Sequence, residues 1–420
     1  MFKNLFRKNK LRKILKQKPE IIKRDSHCIS RRNIDEDALK ILYRLRRKNF
    51  TAYIVGGAVR DLLLGTIPKD FDIATDAPPE AIKKIFRNSR IIGHRFKLVQ
   101  VIFRGYKVIE VSTFRKSVLV ENQEVLADDN DYGTIQEDAT RRDLTINSLY
   151  YDISNFTIID YCKGLKDLKN GVIRAVGNPD ERFENDPVRL LRAIRHAARN
   201  NFIIETETMD AVIKHRKNLK LCPNSRLKDE FAKDISSGNA LAWFRLAHST
   251  RVFYNFFPEL EEYYGKEKSR ARGELMSYLS KIDHAQNSEN PYSPAITVAA
   301  IFYPVIKILS NKEDFPMGRA GRSQWNFFIR KTLPELAKGI QFTKKIIDMA
   351  CHITGIAGYS RFYSNGQTIP QKTRNNKHFP ETLEFIKLIE EDLSFFMKKK
   401  KVFNKKFTKP SGFKKRKPRE

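Results

Sequence analysis

Hydrophobic and polar positions change rhythm along this chain, and the change divides it. Residues 37–48 read as a helix leading into a first strand at 51–55, with a second strand at 70–74. Pro78-Pro79 open a helix whose apolar face is Ile82, Ile85 and Phe86. Residues 98–103 and 108–114 alternate or run apolar on either side of Arg104-Gly105-Tyr106, which predicts a hairpin. Residues 115–136 lose all periodicity and are rich in Asp and Asn, so they read as one long loop. Further short strands are expected at 156–161 and 172–176. From Asp180 onward the pattern is helical, with little strand signal and no fixed-period repeat. The fold class predicted is an α/β head with a small mixed β-sheet, followed by an all-α neck and body. The expected divisions are a basic arm over 1–35, the head over 36–177, the neck over 178–265, the body over 266–396 and a disordered basic tail over 397–420.

Charge adds a partner class to this outline. Lys and Arg outnumber Asp and Glu by 80 to 49, a formal net charge of +31, which points to a polyanion. Residues 1–24 carry ten Lys/Arg against one Glu, and residues 398–420 carry twelve against one. Removing +9 and +11 from +31 leaves +11 for the middle, so the ends read as solvated polycationic arms that contact nucleic acid. A membrane-surface role for the N-terminal arm is the secondary reading, because Phe2, Leu5 and Phe6 fall on one helix face and Leu11, Ile14 and Leu15 on the other. No apolar stretch follows the basic start, which argues against a secretory signal. The longest apolar run, 295–305, is too short to span a bilayer and is interrupted by Pro304 and Lys307; a buried helix is expected there, and no transmembrane segment. Cys28, Cys162, Cys222 and Cys351 are far apart, with no CxxC and no Cys/His cluster, which predicts a reducing cytoplasm and neither disulfides nor structural zinc.

The chemistry concentrates in residues 54–76, IVGGAVRDLLLGTIPKDFDIATD. Side chains alternate along a strand, so Asp70 and Asp72 point one way and Phe71 into the core. Two carboxylates roughly 7 Å apart on one strand face suit hard divalent cations, as phosphoryl and nucleotidyl transfer require. The Gly56-Gly57 turn opening a helix supplies N–H groups for phosphate, with Arg60 beside them. Glu110 is either a third acidic group facing that strand or a surface residue on an edge strand.

The spacing GGxVRDxLLGxxxxDxD resembles the nucleotidyltransferase superfamily, in its bacterial poly(A) polymerase and CCA-adding branch. RRDLTINSL at 141–149, Asp160-Tyr161 with Gly164-Leu165-Lys166-Asp167-Leu168, and DPVRLLRAIR at 186–195 look like three further family segments in the expected order. Residues 90–101, RIIGHRFKLVQV, resemble the stretch that separates poly(A) polymerases from CCA-adding enzymes, with His94 where Lys or Arg is usual. The resemblance implies that Asp143 is a catalytic carboxylate and that Arg142 sits by the triphosphate. Read from the residues alone, Asp143 could equally be a structural ion pair.

Arg189, Arg192, Arg195 and Arg199 recur at helical spacing, with Leu190, Leu191 and Ile194 opposite, so the arginines form one ridge. Asp186 and Arg189, three apart on it, match the Watson–Crick edge of adenine, because a carboxylate accepts from the amine and a guanidinium donates to the ring nitrogen. Cytosine offers the same pattern and must be excluded by pocket shape.

The function expected is template-independent addition of AMP from ATP to RNA 3′ ends, with release of pyrophosphate. Asp70 and Asp72 would hold two Mg²⁺ ions, and Gly57, Arg60, Arg142, Arg192 and Arg195 would cradle the triphosphate. RNA would be held without sequence readout. RNA-turnover proteins are further candidate partners. The rival readings are a CCA-adding enzyme of the same fold and an inactive RNA-binding protein that kept it.

Overall fold

The computed structural model describes residues 17–93, 97–116, 132–363, 369–390 and 394–397. The chain divides into two compact units: Met1–Pro291 with Leu336–Thr343, and Tyr292–Glu335 with Lys344–Glu420. The expected head and neck therefore share one unit. The helix Arg270–Gln286, expected in the body, belongs to it as well.

The first unit is organised on an eight-stranded sheet made of β1 (Glu20–Ile22), β2 (Ala52–Val55), β3 (Asp72–Thr75), β4 (Ser89–Ile92), β5 (Leu98–Ile102), β6 (Val108–Thr113), β7 (Leu149–Asp152) and β8 (Thr157–Asp160). Their spatial order is β1-β8-β7-β2-β3-β6-β5-β4. β3 and β6 pair in parallel and every other neighbouring pair is antiparallel, so the sheet is mixed, as expected. Register assigns the faces. Val55 lies opposite both Asp72 and Tyr150, whereas Ile54 lies opposite both Ile73 and Tyr151. Directly opposed residues share a face. Asp72, Val55 and Tyr150 therefore look one way, and Ile54, Ile73 and Tyr151 the other. On the Asp72 side, Val55, Ala74, Phe114, Ala139, Tyr150, Cys162 and Val176 form a buried cluster.

The helix Glu36–Arg46 buries Ala38, Ile41, Leu42 and Leu45 and packs against β2; the Asp35 carboxylate caps it by accepting from the N–H groups of Asp37 and Ala38. Several expectations are corrected here. Part of the expected arm is folded, because β1 pairs with β8 at an edge of the sheet. The second strand begins at Asp72, so Asp70 stands two residues ahead of it. The stretch 115–136 contains the start of a helix, Ile135–Arg141, with Thr134 and Glu137 bonded reciprocally as a capping box. Residues 117–131 of that expected loop lie outside the described residues. So do 1–16, the basic tail from 398, and His94, Arg95 and Phe96. The expected strand at 172–176 does not join the main sheet. Val172–Ile173 (β9) pairs in parallel with Ile203–Ile204 (β10), beside the neck helices.

The neck helix Val188–Asn200 buries Val188, Leu190, Leu191, Ala193, Ile194 and Ala197 against the helices Asn224–Ile235 and Ala240–Ser249. Its end is set by Asn201, left-handed at φ 53°. Beyond them, Phe231 packs edge-on to Trp243, Phe256, Phe257 and Phe342. In the second unit the helix Pro294–Ser310 has every residue from 295 to 306 buried, as its long apolar run predicts. The Trp325 indole there is fully buried and donates to the Gly355 carbonyl at 2.8 Å.

Candidate active site

β2 ends in Gly56, whose φ of 74° and ψ of −130° suit glycine alone. A side chain at Gly56 would also begin 3.5 Å from the Arg142 guanidinium. The turn feeds the helix Gly57–Leu63, and β3 returns beside β2 with Asp72 at its first position. Glu110 lies on β6, directly beside β3 in the sheet interior, so the edge-strand reading is corrected. By register it shares the Asp72 face, and it accepts from the Gln100 amide at 3.0 Å.

Crowding by protein atoms and then the charge of Glu110 push the Asp72 carboxyl up to about 6, with Asp70 adding to the push and Arg142 and Arg192 opposing it. The side chain still opens to solvent. Asp70, Asp72 and Glu110 are thus an acidic group with two guanidinium neighbours. Among the described residues no three His, Cys, Asp or Glu side chains already surround a common point as a closed metal cage. The donors are all hard oxygens and mutually repelling. That suits Mg²⁺, which takes one or two carboxylates and completes its shell with water and substrate phosphates.

Asp143 is only 9% exposed. Its Oδ1 accepts from the Leu144 N–H at 2.8 Å and its Oδ2 from Arg192 Nε at 2.5 Å. Burial opposes its ionisation, but the Arg192 guanidinium holds the carboxyl well below the usual range. His196 lies alongside, yet burial and the charge of Arg60 keep its imidazole neutral, so Arg192 carries the effect. Asp143 therefore sits in the ion pair that the residues alone allowed. Arg192 keeps 38% of its side chain exposed and lies near enough to Asp72 to act on its charge.

Arg142 is braced from behind. Its Nε and Nη2 donate to Asp138 at 3.2 and 2.8 Å, its Nε donates to the Tyr150 hydroxyl at 3.0 Å, and that hydroxyl donates to Asp138 at 2.6 Å. Nη1 faces Gly56. Arg60, expected beside the phosphates, faces inward instead. It is 2% exposed, paired with Asp61 at 2.7 Å, donating to Asn147 at 2.6 Å and 3.2 Å from His196 Nδ1. Arg199 reaches the other oxygen of Asp61 at 3.1 Å. Arg195 is also committed elsewhere, to Asp234 at 2.5 Å and Glu230 at 2.5 Å on the helix Asn224–Ile235. Of the cationic ridge, Arg192 faces the acidic group, while Arg195 and Arg199 tie elements together, as Arg60 does from the helix Gly57–Leu63.

Asp186 and Arg189 are neighbours, at 3.5 Å, and neither is idle. Arg189 donates to the carbonyls of Arg141 and Arg142 at 3.0 and 3.3 Å, and Arg226 donates to Asp186 Oδ2 at 3.2 Å. Arg226 and His196 did not stand out in the sequence. His196 falls on the arginine helix, where its apolar-face position was the available signal; Arg226 lies 40 residues from Asp186, with no local signal. Asp138 was not singled out either; its place four residues before Arg142 was the available signal.

The segment 52–174 matches the family model for the poly A polymerase head domain, and 201–264 matches that for the probable RNA and SrmB-binding site of polymerase A. Poly(A) polymerase I of Salmonella typhi is 39% identical over 338 residues, 78% of this chain and 72% of that protein. Poly(A) polymerase I of Haemophilus influenzae is 40% identical over 307 residues, 70% and 68% of the two chains. A CCA-adding enzyme of Ligilactobacillus salivarius is 38% identical, but over only 55% of this chain and 57% of its own. In fold, the chain is similar to the CCA-adding enzyme of Bacillus stearothermophilus solved with CTP, at a TM-score of 0.58 and 23% identity, covering 84% of this chain and 76% of that one. With a head that matches over the whole acidic site and relatives that match through the neck, this chain belongs to the poly(A) polymerase family.

Proposed function

We propose that this chain carries out template-independent addition of AMP from ATP to RNA 3′ ends, using the face of the head sheet that bears Asp72. The observation that carries the reading is the Asp72–Glu110 pair opposed by Arg142 and Arg192, a junction of carboxylates and guanidiniums suited to a metal-bound triphosphate. The 3′-hydroxyl gives up its proton to solvent as its oxygen bonds to the α-phosphorus, the bond from that phosphorus to the bridging β-phosphate oxygen breaks, and pyrophosphate leaves. Asp70 and Asp72, with Glu110 behind them, would hold Mg²⁺, which supplies charge neutralisation for the attacking hydroxyl and the leaving pyrophosphate. Arg142 and Arg192 bind phosphate oxygens. Asp143 fixes Arg192 in place. Asp186 accepts from the adenine amine and Arg189 donates to the ring, while its bonds to the carbonyls of 141 and 142 tie base recognition to the phosphate-binding segment.

RNA is held by charge along the neck and the basic ends. The four cysteines are free, and no helix among the described residues is long and apolar enough to cross a membrane; we place the reaction in the cytoplasm, with RNA-turnover proteins as its partners. The test is to supply each nucleotide separately with a short unstructured RNA. ATP alone should give long extension. Terminal CTP addition limited to two residues would instead establish the CCA-adding reading, and no incorporation the inactive one. Asp186→Ala should raise CTP use relative to ATP, and an unchanged ratio would remove Asp186 from base selection.

A further inference from the structure

The face of the head sheet that looks away from Asp72 carries Tyr151, in register with Ile54 and on the face of Ile73. A cleft of about 840 Å³ opens there, bounded by residues 24–36, the helix Glu36–Arg46 and the turn between β7 and β8. Four cations line it, Arg24, Arg31, Arg32 and Lys40, against one carboxylate, Glu36. Lys40 is partly neutralised by Asp37 at 2.8 Å. Arg32 is exposed and its side chain has no ion pair among the described residues. The Arg31 guanidinium lies 5.3 Å from the centre of the Tyr43 ring.

The rim is aromatic as well as basic, and it is held still. Phe156 is 37% exposed at a left-handed turn position, φ 54°. Its carbonyl is bonded to the His27 ring at 2.9 Å, and that ring stands edge-on to Tyr151 at 5.8 Å. Cations beside an exposed aromatic face are what single-stranded nucleic acid needs: phosphates meet the guanidiniums, and a base of any identity stacks on Phe156. A site for bare phosphate would not call for the exposed ring.

We propose that this cleft is a second, sequence-tolerant site for single-stranded RNA, separate from the acidic site across the sheet. It goes beyond the proposed function, and its readout is RNA binding rather than AMP addition, so either reading can fail without the other. The experiment uses the full chain with labelled oligo(A) of about 6 and about 40 nucleotides, lengths near and well above one site. The variants are the double substitution Arg31→Ala/Arg32→Ala, and Phe156→Asn, since Asn tolerates the left-handed backbone.

The double variant should bind the long oligonucleotide about tenfold more weakly at 0.1 M salt. Its slope of log affinity against log salt should be shallower by about 1.4, two phosphate contacts at about 0.7 each. Phe156→Asn should weaken binding and leave the slope unchanged. Extension of the short primer should be unaffected in all. Photo-crosslinking of 5-iodouridine RNA to the unmodified chain should label Phe156 or Tyr43, whatever the variants' folding. Equal affinity and slope in all forms, with no crosslink at either ring, would overturn the proposal. So would variants that lose binding to phosphatidylglycerol vesicles while holding RNA as before.

Discussion

Asp72 and Asp143 are the same side chain in opposite surroundings, and the contrast assigns their work. Asp72 faces Glu110 and Asp70 and is pushed up to about 6; Asp143 is clasped by Arg192 and held low. The first stands among like charges and the second already has its guanidinium. Asp72→Asn should therefore lower the extension rate by a thousandfold or more, several kcal/mol of transition-state stabilisation, with RNA affinity retained. A variant keeping a tenth of the rate would remove Asp72 from the site. His196 gives a pH prediction. Buried and neutral, it refuses a proton that the unfolded chain accepts near pH 6.5. Its contribution to stability is thus complete above that pH and is lost as pH falls below it, by up to about 1.4 kcal/mol per pH unit. Thermal unfolding of the parent and His196→Asn between pH 5 and 7 should converge at low pH. The low carboxyl of Asp143 contributes with the same sign, but only below about pH 4. The residue types at the site were legible from their spacing. The inward turn of Arg60 was not, because its partners Asn147 and His196 lie 87 and 136 residues away.

At the scale of elements, one family-like segment proves to be a brace. Asp160 accepts from the N–H groups of Cys162 and Leu165, both at 2.9 Å, and Asp167 accepts from the Thr145 hydroxyl at 2.8 Å. Gly164 lies so close to the Thr145 carbonyl that a Cβ would fall inside it. The turn thereby fixes the chain just after Asp143. Gly164→Ala should destabilise the protein by about 3 kcal/mol, since backbone rather than a flexible tip must move. A melting temperature equal to the parent's would show that the turn yields freely. The elements missed in the sequence have physical reasons. β7 is buried at all four positions, so it shows no alternation, and β1 is three residues inside a basic stretch. Strands with one solvated face, such as β5 and β6, were plain from their period of two.

For the whole molecule, charge and structure are unevenly shared. Residues 398–420 lie outside the described residues and carry twelve of the 80 Lys and Arg. Deleting them removes +11 and no candidate catalytic group. RNA affinity should fall and its salt dependence flatten, while the rate on saturating short RNA stays as it was. Parallel salt plots of equal intercept would make the tail a solubilising segment.

The ion pairs that run from the head into the helix Val188–Asn200 limit how such a protein can be recombined. Asp61 is completed by Arg199 and Asp143 by Arg192, while Arg60 leans on His196. A head transplanted onto a foreign neck would bury the Asp143 carboxylate with no guanidinium and strip Asp61 and Arg60 of their second partners, at a cost of several kcal/mol. On the proposed roles, nucleotide preference and catalytic centre would be inherited together: the tradable unit is the head plus its first long neck helix, and a chimera joined at the boundary between them should fail to fold before it fails to catalyse.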